Sequence, residues 1–247
     1  MVIESLRRTR TKRVKKAMSS LAIITARGGS KRIPRKNIKE FLGKPIIAYS
    51  IEAALESGAF DEVMVSTDDR EIADIAISYG AKVPFMRSED TANDFATTAD
   101  VVCEVINSYK VAGREFTYVC CIYPTAPFVT ALSLKSAMDT LTSNQVDTVM
   151  PVVKFSFPPQ RCLVVNDGML TPKWPECMPL RSQDLEPYYH DCGQFYCLNV
   201  ESFLGQKKIV MDKTMPYFQD EINVQDIDTM DDWELAEIKY TKLHGIR

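Results

Sequence analysis

Histidine is nearly missing from this chain of 247 residues: there are two, His190 and His244. That excludes a metal centre built on several imidazoles, and no Ser-His-Asp set is evident. The seven cysteines (Cys103, Cys120, Cys121, Cys162, Cys177, Cys192 and Cys197) include no Cys-x-x-Cys pair. An odd count without metal-ligand spacing reads as free thiols in a reducing cytoplasm. No run of about 18 apolar residues occurs, so no membrane span is expected. The basic N-terminus lacks an apolar stretch and is not a secretory signal. There is no Walker loop, and no third glycine completes a dinucleotide fingerprint after Gly28 and Gly29. Internal repeats are absent too.

Apolar residues make up 45% of the chain and charged residues 26%, which suits a globular protein with one large α/β domain. The charge is unevenly placed. Residues 1–16 hold seven cations (Arg7, Arg8, Arg10, Lys12, Arg13, Lys15, Lys16) and one acid, Glu4, in a chain of net charge −3. The remainder therefore carries −9, and an acidic body argues against nucleic acid as the main partner. Residues 1–18 are expected to be a disordered basic leader, and 19–247 a single domain.

Strand and helix patterns alternate from Leu21 onward. Apolar runs predict strands over Leu21–Thr25, Asp61–Thr67, Val83–Met86, Thr117–Tyr123 and Asp147–Val153. Helical periodicity predicts Pro45–Ser57, Asp69–Tyr79, Thr97–Tyr109 and Ser133–Leu141. The first is expected to bury Ile46, Ile47, Ile51, Ala54 and Leu55, and Gly58 to end it. Repeated β-α-β units imply a mostly parallel sheet with helices on both faces. Residues 155–192 hold six prolines and little helical period, and read as an arm or hairpin excursion suited to a subunit contact. Gly193–Asn199 returns as a strand, and Met230–Leu243 is a closing helix.

Ligands of such sheets sit outside the carboxyl ends of the strands. Four polar turns converge there: the loop after the first strand, Ser66-Thr67-Asp68-Asp69, Arg87, and Tyr123-Pro124-Thr125. The first reads Ala26-Arg27-Gly28-Gly29-Ser30-Lys31-Arg32-Ile33-Pro34-Arg35-Lys36-Asn37-Ile38. Its glycines tolerate positive φ and close approach, so the turn is expected to form an anion nest ringed by five cations. A polyphosphate is the natural ligand. Far along the chain, Asp226 and Asp228 stand two apart on an extended segment and so face one side. Such a pair calls for a cation, and Mg²⁺ with phosphate oxygens fits. Asp231 and Asp232 are expected to cap the last helix.

Ala26–Ile38, Val65–Asp69, Arg87, Pro124–Pro127 and Asp226-Ile227-Asp228 together resemble the acylneuraminate (CMP-sugar) cytidylyltransferase family, over roughly residues 20–243. The resemblance implies a Rossmann-like nucleotidyltransferase fold with a small protruding dimerisation arm, a homodimer, and use of CTP and Mg²⁺. It implies that Arg27, Gly28, Gly29, Ser30, Lys31 and Lys36 hold the triphosphate, with Lys36, Arg27 and Lys31 as the catalytic cations. Asn37, Arg87, Ala96 and Thr98 would form the cytosine pocket. Asp226 and Asp228 would hold the metal. The acceptor, a nine-carbon 2-keto sugar acid, would meet Tyr123, Tyr196 and, across a one-residue gap, Arg181. Tyr123-Pro-Thr-Ala-Pro and His190-Asp191-Cys192-Gly193 depart from the sialic acid strings and resemble the branch that activates pseudaminic acid, with sialic or legionaminic acid as the alternative acceptor. That sugar is a 5,7-diamino relative of sialic acid with a methyl at C9. Phe128, Phe195 and Tyr196 could give it an apolar pocket; core packing is the alternative for these aromatics and the favoured role for Phe195.

Overall fold

The computed structural model describes residues 19–245; the expected leader, 1–18, lies outside them. In chain order the elements are β1 (Ser20–Thr25), β2 (Glu40–Phe41), β3 (Lys44–Pro45), α1 (Ile46–Glu56), β4 (Glu62–Ser66), α2 (Arg70–Ser78), α3 (Glu89–Ala92) and α4 (Thr98–Val111). Then follow β5 (Tyr118–Ile122), α5 (Ala131–Asn144), β6 (Thr148–Lys154), β7 (Leu163–Asn166), β8 (Met169–Pro172), β9 (Tyr189–Asp191), β10 (Phe195–Asn199), α6 (Val200–Gln206), β11 (Thr214–Gln219) and α7 (Met230–His244).

The main sheet runs β11-β6-β10-β5-β1-β4, with β9 also paired to β6. Five strands share one direction, and β10 and β9 run against them. Because side chains alternate along a strand, β1 feeds two cores. Ala22 and Ile24 pack with α1, α2 and α5 on one face, and Leu21 and Ile23 with α4 and α6 on the other. Both faces are covered, which is why the parallel strands read as unbroken apolar runs. A third cluster joins Ile33, Phe41, Ile46 and Phe128 to Ile227 and to Trp233 and Ala236 of α7. It pins the loop after β1 against the Asp226–Asp228 segment.

Several expectations need correction. Val83–Met86 is not a strand: Lys82 alone bridges Met64, and Pro84 cannot donate to a ladder. Leu55 lies on the open side of α1, 43% exposed. Thr229, not Asp231 or Asp232, caps α7, although Asp232 returns the bond that completes the capping box. Residues 155–188 do carry a hairpin, β7–β8, off the main sheet. Among the described residues no helix is long and apolar enough to cross a membrane.

One buried charge holds the β4 edge. Glu62 accepts hydrogen bonds from Tyr109 Oη, Lys82 Nζ at 2.8 Å and Arg114 Nη1 at 2.6 Å. Burial pushes its carboxyl up, but these donors outweigh burial and hold it at about 2. A depressed carboxyl contributes stability above its ordinary value of 4.5, and that contribution is lost as pH falls toward 2. Glu62→Gln is expected to cost roughly 3 kcal/mol at neutral pH, because it breaks a buried network. Denaturant midpoints at pH 7 and pH 3 check this: the wild type should lose more between the two than the variant.

Candidate active site

The carboxyl ends of β1, β4 and β5 open on a cleft of about 610 Å³. Arg27, Ser30, Lys31, Lys36, Asn37, Arg87, Ala96, Thr98 and Tyr123 all line it. Three stretches of chain, 25–37, 87–101 and 123–125, thus reach one concavity, as the rim of a parallel sheet dictates.

The glycine turn differs in detail from a nest with left-handed glycines. Neither Gly28 nor Gly29 has positive φ. Gly28 matters for space instead: a Cβ there would come within 2.8 Å of Asp69 Oδ2, and its N–H donates to Asp68 Oδ1 at 2.9 Å. A Cβ on Gly29 would meet nothing within 4 Å. The left-handed residue of this loop is Arg35, at φ 56°.

Arg27 and Lys31 converge on one carboxylate. Asp94 takes Arg27 Nη1 at 2.7 Å and Lys31 Nζ at 2.5 Å, and Arg27 also donates to Asn93 O at 3.1 Å. Two cations share a single anion, so the cluster keeps a net positive charge at the cleft. Sequence reasoning passed over Asp94, for nothing in its neighbourhood marks it.

Deeper in, Asn37 Nδ2 donates to Arg27 O at 2.8 Å, which buttresses the loop from behind. Arg87 is 8% exposed and donates to Ser66 O at 2.6 Å and Ser66 Oγ at 3.0 Å. Burial lowers its pKa and the nearby Asp68 opposes this; the guanidinium stays charged. Tyr123 is largely buried, its hydroxyl 2.9 Å from Thr98 Oγ1 and its ring edge-on to Tyr196 at 5.7 Å. Tyr196 is 4% exposed, and its hydroxyl donates to Asp191 Oδ2 at 2.6 Å. Burial pushes both phenols up.

The acidic pair adjoins the cationic loop. Lys36 Nζ donates to Ile227 O at 2.6 Å and lies 3.6 Å from Asp228 Oδ1, and Arg32 meets the same oxygen at 2.7 Å. Asp226 is held above the usual aspartate range by desolvation first and by the like charge of Asp228 next, with Lys36 opposing. Two acids disfavoured as a charged pair are a donor set that a divalent cation relieves. Among the described residues no group of three or more His, Cys, Asp and Glu side chains could hold a metal, so the remaining positions would fall to water and phosphate oxygens.

Gly28, Gly29, Tyr196, Asp226 and Asp228 sit beside lining residues without lining the cleft themselves, and Arg181 and Phe128 are not brought to it. Arg181 does not line the cleft; it sits on the arm segment, exposed and forked onto Asp184 at 2.7 and 3.0 Å. Phe195 and Phe128 are core residues, on the α1–α5 face and in the α7 cluster respectively. The alternation along β10 sends Phe195 away from Tyr196.

Residues 21–166 match a family model described as cytidylyltransferase. Pseudaminic acid cytidylyltransferase of Campylobacter jejuni is 42% identical over 228 residues, covering 92% of this chain and 98% of that protein. CMP-N,N'-diacetyllegionaminic acid synthase of Legionella pneumophila is 35% identical over 230 residues, covering 89% of this chain and 95% of that protein. The solved structure of CMP:2-keto-3-deoxy-manno-octonic acid synthetase complexed with CTP superposes with a TM-score of 0.66 at 18% identity, covering 92% of this chain and all of that one. That last likeness shows a shared nucleotidyltransferase fold, and the sequence relatives carry the rest: the chain belongs to the cytidylyltransferase family.

Proposed function

We propose that this enzyme transfers CMP from CTP to the anomeric hydroxyl of pseudaminic acid, giving a CMP-sugar and pyrophosphate. One observation carries the reading: Lys36 reaches across from the cationic loop to Ile227 O and Asp228, so the loop and the acids address one place. Arg27, Lys31 and Lys36 offset the triphosphate charge as the bond to the α-phosphorus forms and the pyrophosphate bond breaks. The Gly28–Ser30 turn brings backbone close to the phosphates. Asn37, Arg87, Ala96 and Thr98 take the cytosine. Tyr123 and Tyr196 form the acceptor side, where tyrosine edges suit a sugar with fewer hydroxyls than sialic acid. Asp226 and Asp228 would hold Mg²⁺. Bound there, the ion supplies charge neutralisation for the triphosphate and the leaving pyrophosphate.

The 42% relative favours pseudaminic acid over legionaminic or neuraminic acid. The test is pyrophosphate release from CTP with each of the three acids. Turnover highest with pseudaminic acid supports the reading; preference for another acid moves the assignment, and no release with any of them ends it.

The β7–β8 hairpin exposes Leu163, Val165, Met169 and Leu170, at 49, 69, 70 and 65%. We read this apolar tip as the contact between two copies of the chain. Light scattering is expected to give twice the chain mass of 27.9 kDa; a value at the single-chain mass would refute the dimer.

A further inference from the structure

Arg35 stands immediately before Lys36 in a conformation that side chains rarely adopt, φ 56° and ψ 28°. Glycine fills such positions without strain, so a bulky arginine there calls for another reason. Its side chain supplies one. The guanidinium forks onto Asp69, with Nη1 on Oδ2 and Nη2 on Oδ1 at 3.2 Å, and it also meets Glu71. Asp69 is itself fixed: it caps α2 by accepting from Ile72 N at 3.1 Å, and its own N–H donates to Thr67 Oγ1 at 3.1 Å. Asp69 also lies against Gly28, where even a methyl would collide. On the other side, Arg35 O receives the N–H groups of Ile38 and Lys39, both at 3.0 Å, so the turn bearing Lys36 closes on Arg35.

We propose that Arg35 is a positioning residue: its fork onto Asp69 ties the turn that carries Lys36 to the start of α2 and to Gly28. Lys36 and the phosphate loop are thereby held at a fixed separation. The assignment rests on the role given to Lys36 under the proposed function. The competing account is an ordinary surface ion pair, since the two side chains are 39% and 22% exposed, and exposed pairs contribute little. A bidentate fork anchored to a capped helix differs from such a pair in geometry.

The experiment compares Arg35→Gly, Asp69→Asn, their double variant and Glu71→Gln in the full chain. Glycine accepts the backbone conformation without strain, and asparagine still caps a helix, so the folded state is expected to persist. Hydrogen exchange read over residues 35–39 should quicken at least tenfold in Arg35→Gly and in Asp69→Asn, with the sheet unchanged. In pyrophosphate release with CTP, each single variant should lose at least tenfold in kcat with little change in KM for CTP. The double variant should be no worse than the poorer single one, because the two act as a unit. Glu71→Gln should remain near wild type. Unchanged exchange at 35–39, retained kcat in Arg35→Gly, additive losses, or an equal loss in Glu71→Gln would each overturn the proposal. A wild type that releases no pyrophosphate would instead sink the functional reading, and the exchange data would still decide this one.

Discussion

Lys36→Ala lowers kcat by about 10²- to 10³-fold, equivalent to about 3–4 kcal/mol of lost transition-state stabilisation, while KM for CTP shifts far less. The expectation follows from where the ammonium sits. Lys36 is 20% exposed, held at 2.6 Å from Ile227 O and 3.6 Å from Asp228. It therefore stands at the joint between loop and acids rather than out in the cleft mouth. Arg27, Lys31 and Arg32 remain to attract the nucleotide in the variant, so ground-state binding survives. On the proposed function, charge that builds on the phosphoryl oxygens in the transition state would lose a cation held in place by two contacts. Steady-state kinetics separate the two: a rise in KM at constant kcat would demote Lys36 to a ground-state contact.

Asp228→Ala is the second large effect, with kcat falling about 10²-fold or more and the fold retained. The carboxylate is 39% exposed and its present partners are Arg32 and Lys36. Arg32 is 64% exposed and solvates readily once the pair is gone, so the stability cost is small. On the proposed function, loss of one of two carboxylates would remove a donor from the metal-holding pair, at a site with few protein ligands to spare. Mn²⁺ titration followed by paramagnetic broadening reads this without turnover. Near-normal kcat together with wild-type Mn²⁺ affinity would take Asp228 out of the metal-holding role, and a melting temperature close to wild type shows that the loss is chemical.

Much of the frame was legible because local and global preferences agree. β1 has a run of buried apolar side chains on both faces, and α4 starts at a Thr97 capping box with Val101, Val102, Val105 and Ile106 turned inward. Where tertiary context decides, the sequence misleads. Val83 to Met86 has the composition of a strand, yet Pro84 denies it a partner. β11 went unseen because it is a partly exposed edge strand interrupted by Pro216, and edge strands are among the settings where a sheet accepts proline.

Within the site, residue types were visible and pairings were not. The cations of the loop stand out in the sequence, but Asp94 and Asp69, which set where Arg27, Lys31 and Arg35 point, lie up to 67 residues away. Asp191 sat inside a string already marked as unusual, although only the structure shows it receiving Tyr196. Arg181 failed for a different reason: the arm is proline-rich and irregular, so an alignment gap there carries no geometric meaning.

The Ile33–Ile227–Trp233 cluster has a consequence for biosynthesis. Nearly two hundred residues separate the loop after β1 from the Asp226–Asp228 segment, and α7 clamps them together. The loop after β1 is made early in synthesis, but it gains the partner it packs against only when the terminal helix emerges and docks. Fragments ending before Met230 are therefore expected to release no pyrophosphate from CTP, however native the rest of their fold.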